Sequence, residues 1–261
     1  MDSLTQKINA SVFGQELAVG VVLDAVENLS QGRMTALLLF GWTGTGKSLL
    51  VQLVSEAFRS VHKFSIPLHL GDESNHVMLD DLALLLGKGC GPRLVIFEDV
   101  DEGTEAAMSK LKAFISTMKD EQVLLLVTMS SGGQAINRSL LDWAKSSSSL
   151  KRDRIDQTLV NQIIQDQNVD LPLRSFLHGL KIQSRLVPFL PLTREHVKQC
   201  IVKEVIIQGG GAPTREDVRL ILDEMEFFSD SFPVFSTAGC KRVAGKVALL
   251  LASKDTFLGI A

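Results

Sequence analysis

Short apolar runs alternate with helical patterns through most of the chain and then give way to helical patterns alone. That order predicts an α/β fold, a parallel sheet of five strands with helices on both faces and a small helical lid at the C-terminal end. A glycine-rich turn directly after the first apolar run, with a helical pattern directly after the turn, points the same way.

Residues 36–40, 63–68, 93–97 and 122–128 are the strand-like runs, and a fifth at 182–190 completes the sheet. Helical spacing separates them at 47–60, 77–86 and 102–118. Upstream, Leu17, Val21, Val22, Ala25, Val26 and Leu29 recur on one side of a helix after Phe13-Gly14-Gln15, so the chain opens with an amphipathic helix. Residues 156–167 read as a helix polar on one side, and 169–180 are ambiguous. Beyond Pro191 only helices are expected, at 193–207, 214–228 and 238–253, broken by Gly209-Gly210-Gly211 and Pro233. Thr214 ahead of Glu216 and Asp217 has the form of an N-cap followed by acids that suit the positive end of a helix. The expected division is a nucleotide-binding α/β domain over 1–192 and a lid over 193–261.

A net charge of −3 over 261 residues, with Lys and Arg scattered, argues against a nucleic-acid binder. The one basic cluster, Lys151, Arg152 and Arg154, is split by Asp153 and follows a serine run, the composition of a solvated loop. No stretch approaches the roughly 18 apolar residues of a membrane span, and Met1-Asp2-Ser3-Leu4 begins no signal peptide. The chain as written is expected to be soluble, while a fragment or isoform would hide any upstream targeting region. Cys90, Cys200 and Cys240 form no CxxC pair and the histidines are dispersed, which argues against a zinc enzyme. Asn9, Asn28 and Asn137 head glycosylation sequons, which matter only in the secretory pathway.

The chemistry concentrates in Gly41-Trp42-Thr43-Gly44-Thr45-Gly46-Lys47-Ser48, which matches a P-loop. Its glycines let successive backbone N–H groups turn toward one centre, and the following helix presents its positive end to the same anion. ATP is the expected ligand, with Lys47 reaching the β- and γ-phosphates and the Ser48 hydroxyl serving as one ligand of a bridging Mg²⁺. About fifty residues on, Glu98 and Asp99 close an apolar strand at the sheet edge where ligands of open α/β folds gather. In ATP hydrolases one such acid holds Mg²⁺ and the next polarises the attacking water. Their usual order is Asp-Glu. Here Glu98 on the metal side is one methylene longer and Asp99 as base one shorter, a misplacement of about 1 Å that costs on the order of a hundredfold in rate. A second register sets Asp99 toward the metal and Val100 at the base position, which abolishes base catalysis. After the next strand, Ser130 or Thr128 is placed to orient the γ-phosphate or water, or else serves only as a strand-end hydrogen bonder. Val12 and Phe13 flank the adenine or staple the first helix.

The P-loop, the two-acid strand, the polar strand end and the lid together resemble the AAA+ ATPases. Val12-Phe13-Gly14-Gln15-Glu16-Leu17-Ala18, Val187-Pro188-Phe189-Leu190-Pro191-Leu192 with His196, and Gly239-Cys240-Lys241 are similar to torsins, Clp-related AAA+ proteins of the endoplasmic reticulum and nuclear envelope. Divergence elsewhere points to the torsin 4A branch. The resemblance implies that Lys241 reaches the nucleotide from the lid as a sensor of the γ-phosphate. It also implies that Cys200 and Cys240 match a cysteine pair able to form a disulfide beside the nucleotide, two reduced thiols being the alternative in the cytosol. Closing that span of about forty residues is worth roughly 4 kcal/mol in the chain-entropy model. Torsins lack the arginine finger of most AAA+ subunits; Ile182 stands at that position here, with Lys181 and Arg185 displaced. In the family the missing arginine comes from the lumenal domain of transmembrane activators of the lamina-associated polypeptide type. The resemblance therefore implies slow, partner-activated ATP hydrolysis, chaperone-like remodelling in the lumen and a possible homo-oligomer. The reversed acids and Ser130 depart from the family and favour, as the alternative, a nucleotide-binding pseudo-ATPase that holds a partner. A small-molecule kinase fits less well, since one lid lysine replaces the arginines such enzymes use.

Overall fold

The computed structural model describes residues 2–29, 35–65, 82, 86, 91–100, 104–117, 122–130, 184–209, 211–228 and 235–258. Two short helices, α1 (Asp2–Asn9) and α2 (Glu16–Asn28), precede strand β1 (Thr35–Gly41) and helix α3 (Lys47–Ser55). Then follow β2 (Ser60–Ser65), β3 (Arg93–Glu98), α4 (Glu105–Thr117), β4 (Val123–Met129) and β5 (Ser184–Phe189). The chain closes with α5 (Arg194–Ile207), α6 (Arg215–Asp223) and α7 (Val243–Leu258). The expected helices at 77–86 and 156–167 and the ambiguous stretch 169–180 lie outside the described residues, apart from buried Leu82 and Leu86.

The five strands are all parallel, in the order β2-β3-β4-β1-β5. Near-continuous Leu, Val, Ile and Phe suit β1, β3 and β4 to burial on both faces, as parallel strands covered by helices require, while the edge strand β2 is more polar and partly exposed. On one face Leu38, Phe40, Val95, Phe97, Leu125 and Val127 pack with Met108, Leu111, Phe114 and Ile115 of α4. The intervening residues, Leu37, Leu39, Leu94, Ile96, Leu124 and Leu126, meet Ile8 of α1, Val22 of α2 and Leu50, Val51 and Val54 of α3. This odd–even division follows from the two-residue side-chain period of a strand, and it fixes which face each residue at a strand end must take. A third cluster, built from Leu192, Val197, Ile201, Val205, Val218, Ile221, Leu222, Val243 and Val247, forms the core of the three C-terminal helices.

Several boundaries differ from the sequence reading. Helix α3 stops at Ser55 rather than near 60, because Ala57 and Phe58 donate to the carbonyls three residues back, tightening the last turn before the chain leaves for β2. For the same reason β2 begins at Ser60 rather than 63. Helix α6 ends at Asp223 instead of 228, since Phe227 and Phe228 pair with Ser236 and Phe235 of the returning chain. Helix α7 starts at Val243 instead of 238, because residues 238–242 form a turn against the P-loop. The capping residue Thr214 does form a capping box, its hydroxyl accepting from the Asp217 amide at 3.2 Å. A second box at Thr193 and His196, where the His ring replaces the usual acid, carried no sequence signal. Nor did α1, whose two buried residues, Leu4 and Ile8, are too few to show a period.

Candidate functional site

At the C-terminal edge of the sheet, Gly41 of β1, Glu98 of β3, Met129 of β4 and Phe189 of β5 end side by side. From that edge the chain turns through Trp42 to Gly46 and enters α3. Gly46 caps the helix at φ 105°, a left-handed conformation that glycine adopts without strain, and its carbonyl accepts the Leu50 amide at 2.9 Å. Within the loop the Thr45 hydroxyl donates to the Trp42 carbonyl at 2.7 Å. Lys47 is buried, its ammonium donating to the Gly41 carbonyl at 2.6 Å and the Trp42 carbonyl at 3.0 Å. That keeps a positive charge inside the loop mouth, with its donors satisfied as burial demands.

The C-terminal lid rests directly on this loop. The Cys240 amide donates to the Gly44 carbonyl at 3.0 Å, and Trp42 donates its indole N–H to the Thr237 carbonyl. Trp42 also meets Phe228 edge-on, with ring centroids 6.3 Å apart, so it faces the lid. Both glycines at this contact are required: a Cβ on Gly44, at φ 73°, would collide with the Ala238 carbonyl oxygen, and one on Gly239, at φ 53°, with that of Gly44. Lys241 follows in the same turn, exposed, with its backbone amide bonded to Ala238. Cys240 is joined by a disulfide to Cys200 of α5, Cα to Cα 6.3 Å, so the turn on the P-loop is covalently tied to the first lid helix.

Glu98 takes the α3 face of the sheet, in phase with Leu94 and Ile96. It lines a cavity of about 320 Å³ with Ser48, Gln52, Val61 and Lys63, and its carboxylate pairs with the Lys63 ammonium at 2.9 Å. Val100 is wholly buried in the opposite core, so the geometry favours the register in which Glu98 faces the Ser48 side. Between them Asp99 sits at φ 54°, a left-handed conformation that costs a non-glycine residue of order 1 kcal/mol and that Asp tolerates better than most. Its amide donates to the Thr128 hydroxyl at 3.2 Å, and Thr128 is buried while Ser130 is exposed. The structure thus brings Thr128 into contact with the acidic pair.

Val12 lies against the loop, 3.6 Å from where a Cβ on Gly46 would stand, whereas Phe13 lines a groove along α5 with Val202 and Ile206. The residue that anchors this segment is Gln15, nearly fully buried, whose side-chain amide both donates to the Leu190 carbonyl (2.7 Å) and accepts from its N–H (2.8 Å). This pair holds the entry to α2 against the end of β5, where the chain passes to the lid. Gly14, at φ 68°, leaves room for the His196 ring. Burial pushes the His196 pKa below its ordinary value, against the opposing pull of Glu16 and Glu195, and its Nδ1 accepts the Thr193 N–H at 3.3 Å. Burial likewise lowers Lys203, which donates to Ser11. Asp217 is held below the usual carboxylate range mainly by its hydrogen bond from Lys254. Ile182, Lys181 and Cys90 lie outside the described residues; Arg185 is exposed on β5.

The residues present fit a nucleoside triphosphate with Mg²⁺. The loop has glycine where side chains would block its contacts, one buried cation, and a hydroxyl and a carboxylate sharing a cavity. Among the described residues no group of three or more His, Cys, Asp or Glu side chains could hold a metal alone. One hydroxyl and one carboxylate are what Mg²⁺ needs when phosphates and waters complete its shell.

This architecture, a parallel five-stranded sheet with flanking helices and a C-terminal helical lid, is a fold class shared with solved P-loop structures. Solved structures of similar fold include the Thermotoga maritima RuvB Holliday junction branch migration motor, at TM-score 0.55 and 14% identity over 95% of this chain and 64% of that one. Replication initiator DnaA bound to AMPPCP and single-stranded DNA matches at TM-score 0.54 and 18% identity, over 92% of this chain and 61% of that one. The chain spans less than two thirds of the length of these proteins, and at such identities the likeness concerns the fold. Within that class the lid is more specific: residues 192–249 match the family model of the Torsin-1A C-terminal domain. That match places the similarity to torsins in the C-terminal helices, about a fifth of the chain.

Proposed function

We propose that this torsin-like AAA+ protein binds Mg²⁺-ATP between the strand ends and the lid and hydrolyses it slowly. The observation that carries the reading is the contact of Gly44 with the Gly239–Lys241 turn beside a cavity shared by Ser48 and Glu98. In it the loop amides and Lys47 hold the phosphates, Ser48 and Glu98 hold the ion, Asp99 accepts the proton of the attacking water, and Lys241 reaches in from the lid. Bound Mg²⁺ supplies neutralisation of the charge that develops on the transferred phosphoryl group. Thr128 positions Asp99 through its backbone, and Ser130 lies at the same edge to orient water. The short Asp99 side chain keeps the intrinsic rate low, and a partner arginine from the lumenal domain of a transmembrane activator raises it, by about a thousandfold or more for an added guanidinium. Chaperone-like remodelling in the lumen of the endoplasmic reticulum or nuclear envelope fits this scheme and the Cys200–Cys240 disulfide, which oxidising compartments favour. No helix among the described residues is long and apolar enough to cross a membrane. A homo-oligomer is part of the same proposal; the torsin 4A branch rests on sequence divergence alone.

A second reading, a pseudo-ATPase that binds nucleotide to hold a partner, is favoured by the Glu98–Lys63 pair and by Asp99 in its left-handed conformation. Binding of a fluorescent ATP analogue and phosphate release, with and without an activator's lumenal domain, separate the two. Lys47→Ala is expected to weaken binding by roughly tenfold or more, the loss of a charge-assisted contact in a dry site. Undiminished affinity in that variant sinks both readings; binding without turnover in any mixture leaves the second.

A further inference from the structure

We propose that Lys63 is a resident counter-cation for Glu98, a positioning residue that competes with the divalent ion for the carboxylate and makes nucleotide binding less dependent on Mg²⁺. The inference rests on the nucleotide-binding reading above and concerns the regulation of that site. In the parallel pairing of β2 with β3, Lys63 stands opposite Ile96 and Ser65 opposite Glu98. Lys63 and Glu98 are therefore diagonal neighbours on one face, a separation that long side chains span. Both line the cavity that holds Ser48, and their charged atoms lie 2.9 Å apart. The Glu98 side chain is 17% exposed and that of Lys63 57% exposed, so the carboxylate is fixed at the cavity while the lysine reaches it from solvent.

An ion taking Ser48 and Glu98 as ligands thus meets a positive charge already in place. Because the ammonium is half in water, such a pair shifts an equilibrium by no more than roughly fivefold, so the lysine tunes the ion's affinity without excluding it. Its removal acts twice in one direction. Glu98 becomes fully available to the ion, and the metal-free triphosphate loses a nearby cation.

The test titrates MgCl₂ into the full chain with a fluorescent ATP analogue, and repeats binding in EDTA, for wild type, Lys63→Met, Lys63→Gln and Lys63→Arg. Removing the charge is expected to lower the Mg²⁺ concentration at half-maximal binding about fivefold and to weaken binding in EDTA, while Lys63→Arg stays near wild type. A purely structural lysine would leave the Mg²⁺ midpoint unmoved. Equal midpoints in wild type and both charge-removing variants, with nucleotide bound by all, overturn the role of Lys63 and leave the nucleotide-binding reading intact. Failure of the wild type to bind nucleotide in Mg²⁺ overturns both.

Discussion

In the P-loop the groups that would meet phosphate are backbone amides held by glycine geometry, whereas at the end of β3 the groups that would meet metal and water are side-chain carboxylates. The first region keeps its shape through the left-handed conformations of Gly44 and Gly46 and through contact with the lid, none of which depends on side-chain length. The second depends on it directly. Reversal of the two acids moves each carboxylate by one methylene while β3, its register and its neighbours remain regular. A protein of this kind can therefore retain ligand affinity while its turnover drifts, because binding and chemistry are built from different parts of the chain.

The sharpest way to break this comparison is to exchange the acids. The double variant Glu98→Asp with Asp99→Glu is expected to raise turnover by up to about a hundredfold, the rate associated with a misplacement near 1 Å, and to change ATP affinity by less than about threefold. Single-turnover kinetics beside equilibrium binding separate the two quantities. An affinity change as large as the rate change would show that the acids and the loop act as one unit.

A smaller effect is expected on the backbone side. Gly44→Ala puts a methyl group into the Ala238 carbonyl and forces a left-handed conformation on a side chain, which together cost about 2 kcal/mol. Since the lid must back away, the variant should also release Trp42 from Thr237 and Phe228. In a Trp143→Phe background Trp42 is the remaining tryptophan, and its emission should shift to the red. Unchanged emission together with unchanged thermal stability would mean that the loop does not bear on the lid.

The two regions were also unequally legible. Strand, loop and helix around Lys47 could be read because glycine positions and an apolar run carry their own conformational meaning. The identity of Glu98 and Asp99 was equally plain, but not their surroundings. The pairing of Glu98 with Lys63 depends on the register of two strands whose sequences are about thirty residues apart, and β2 itself lay three residues from where its apolar run suggested. Thr128 was weighed beside Ser130; only the parallel neighbours β3 and β4 bring its hydroxyl to Asp99. In the lid, helix α7 was expected too early because residues 238–242, helical by pattern, are bent by tertiary contact with Gly44. Gln15 stood only within a stretch of family resemblance, and its anchoring role was not legible because a buried amide bridging to a strand end leaves no periodicity.

The smallest expected effect lies at the seam between the lid and the segment entering α2, where His196 caps α5 and packs over Gly14. Its pKa is lowered from the ordinary value of 6.5 chiefly by burial, so the folded chain favours the neutral ring that accepts the Thr193 N–H. The unfolded chain then binds more protons than the folded one in the window below 6.5. Stability contributed by His196 is complete above that value and is lost as pH falls from it through the lower folded value. Asp217, with its pKa held down by Lys254, adds a separate loss only at more acid pH, so the two windows do not merge. Urea unfolding between about pH 7.5 and 5 should show wild-type stability falling more steeply than that of His196→Asn, which keeps an acceptor at the cap but does not titrate. Parallel slopes in the two proteins would place the seam's pH response elsewhere than in this ring.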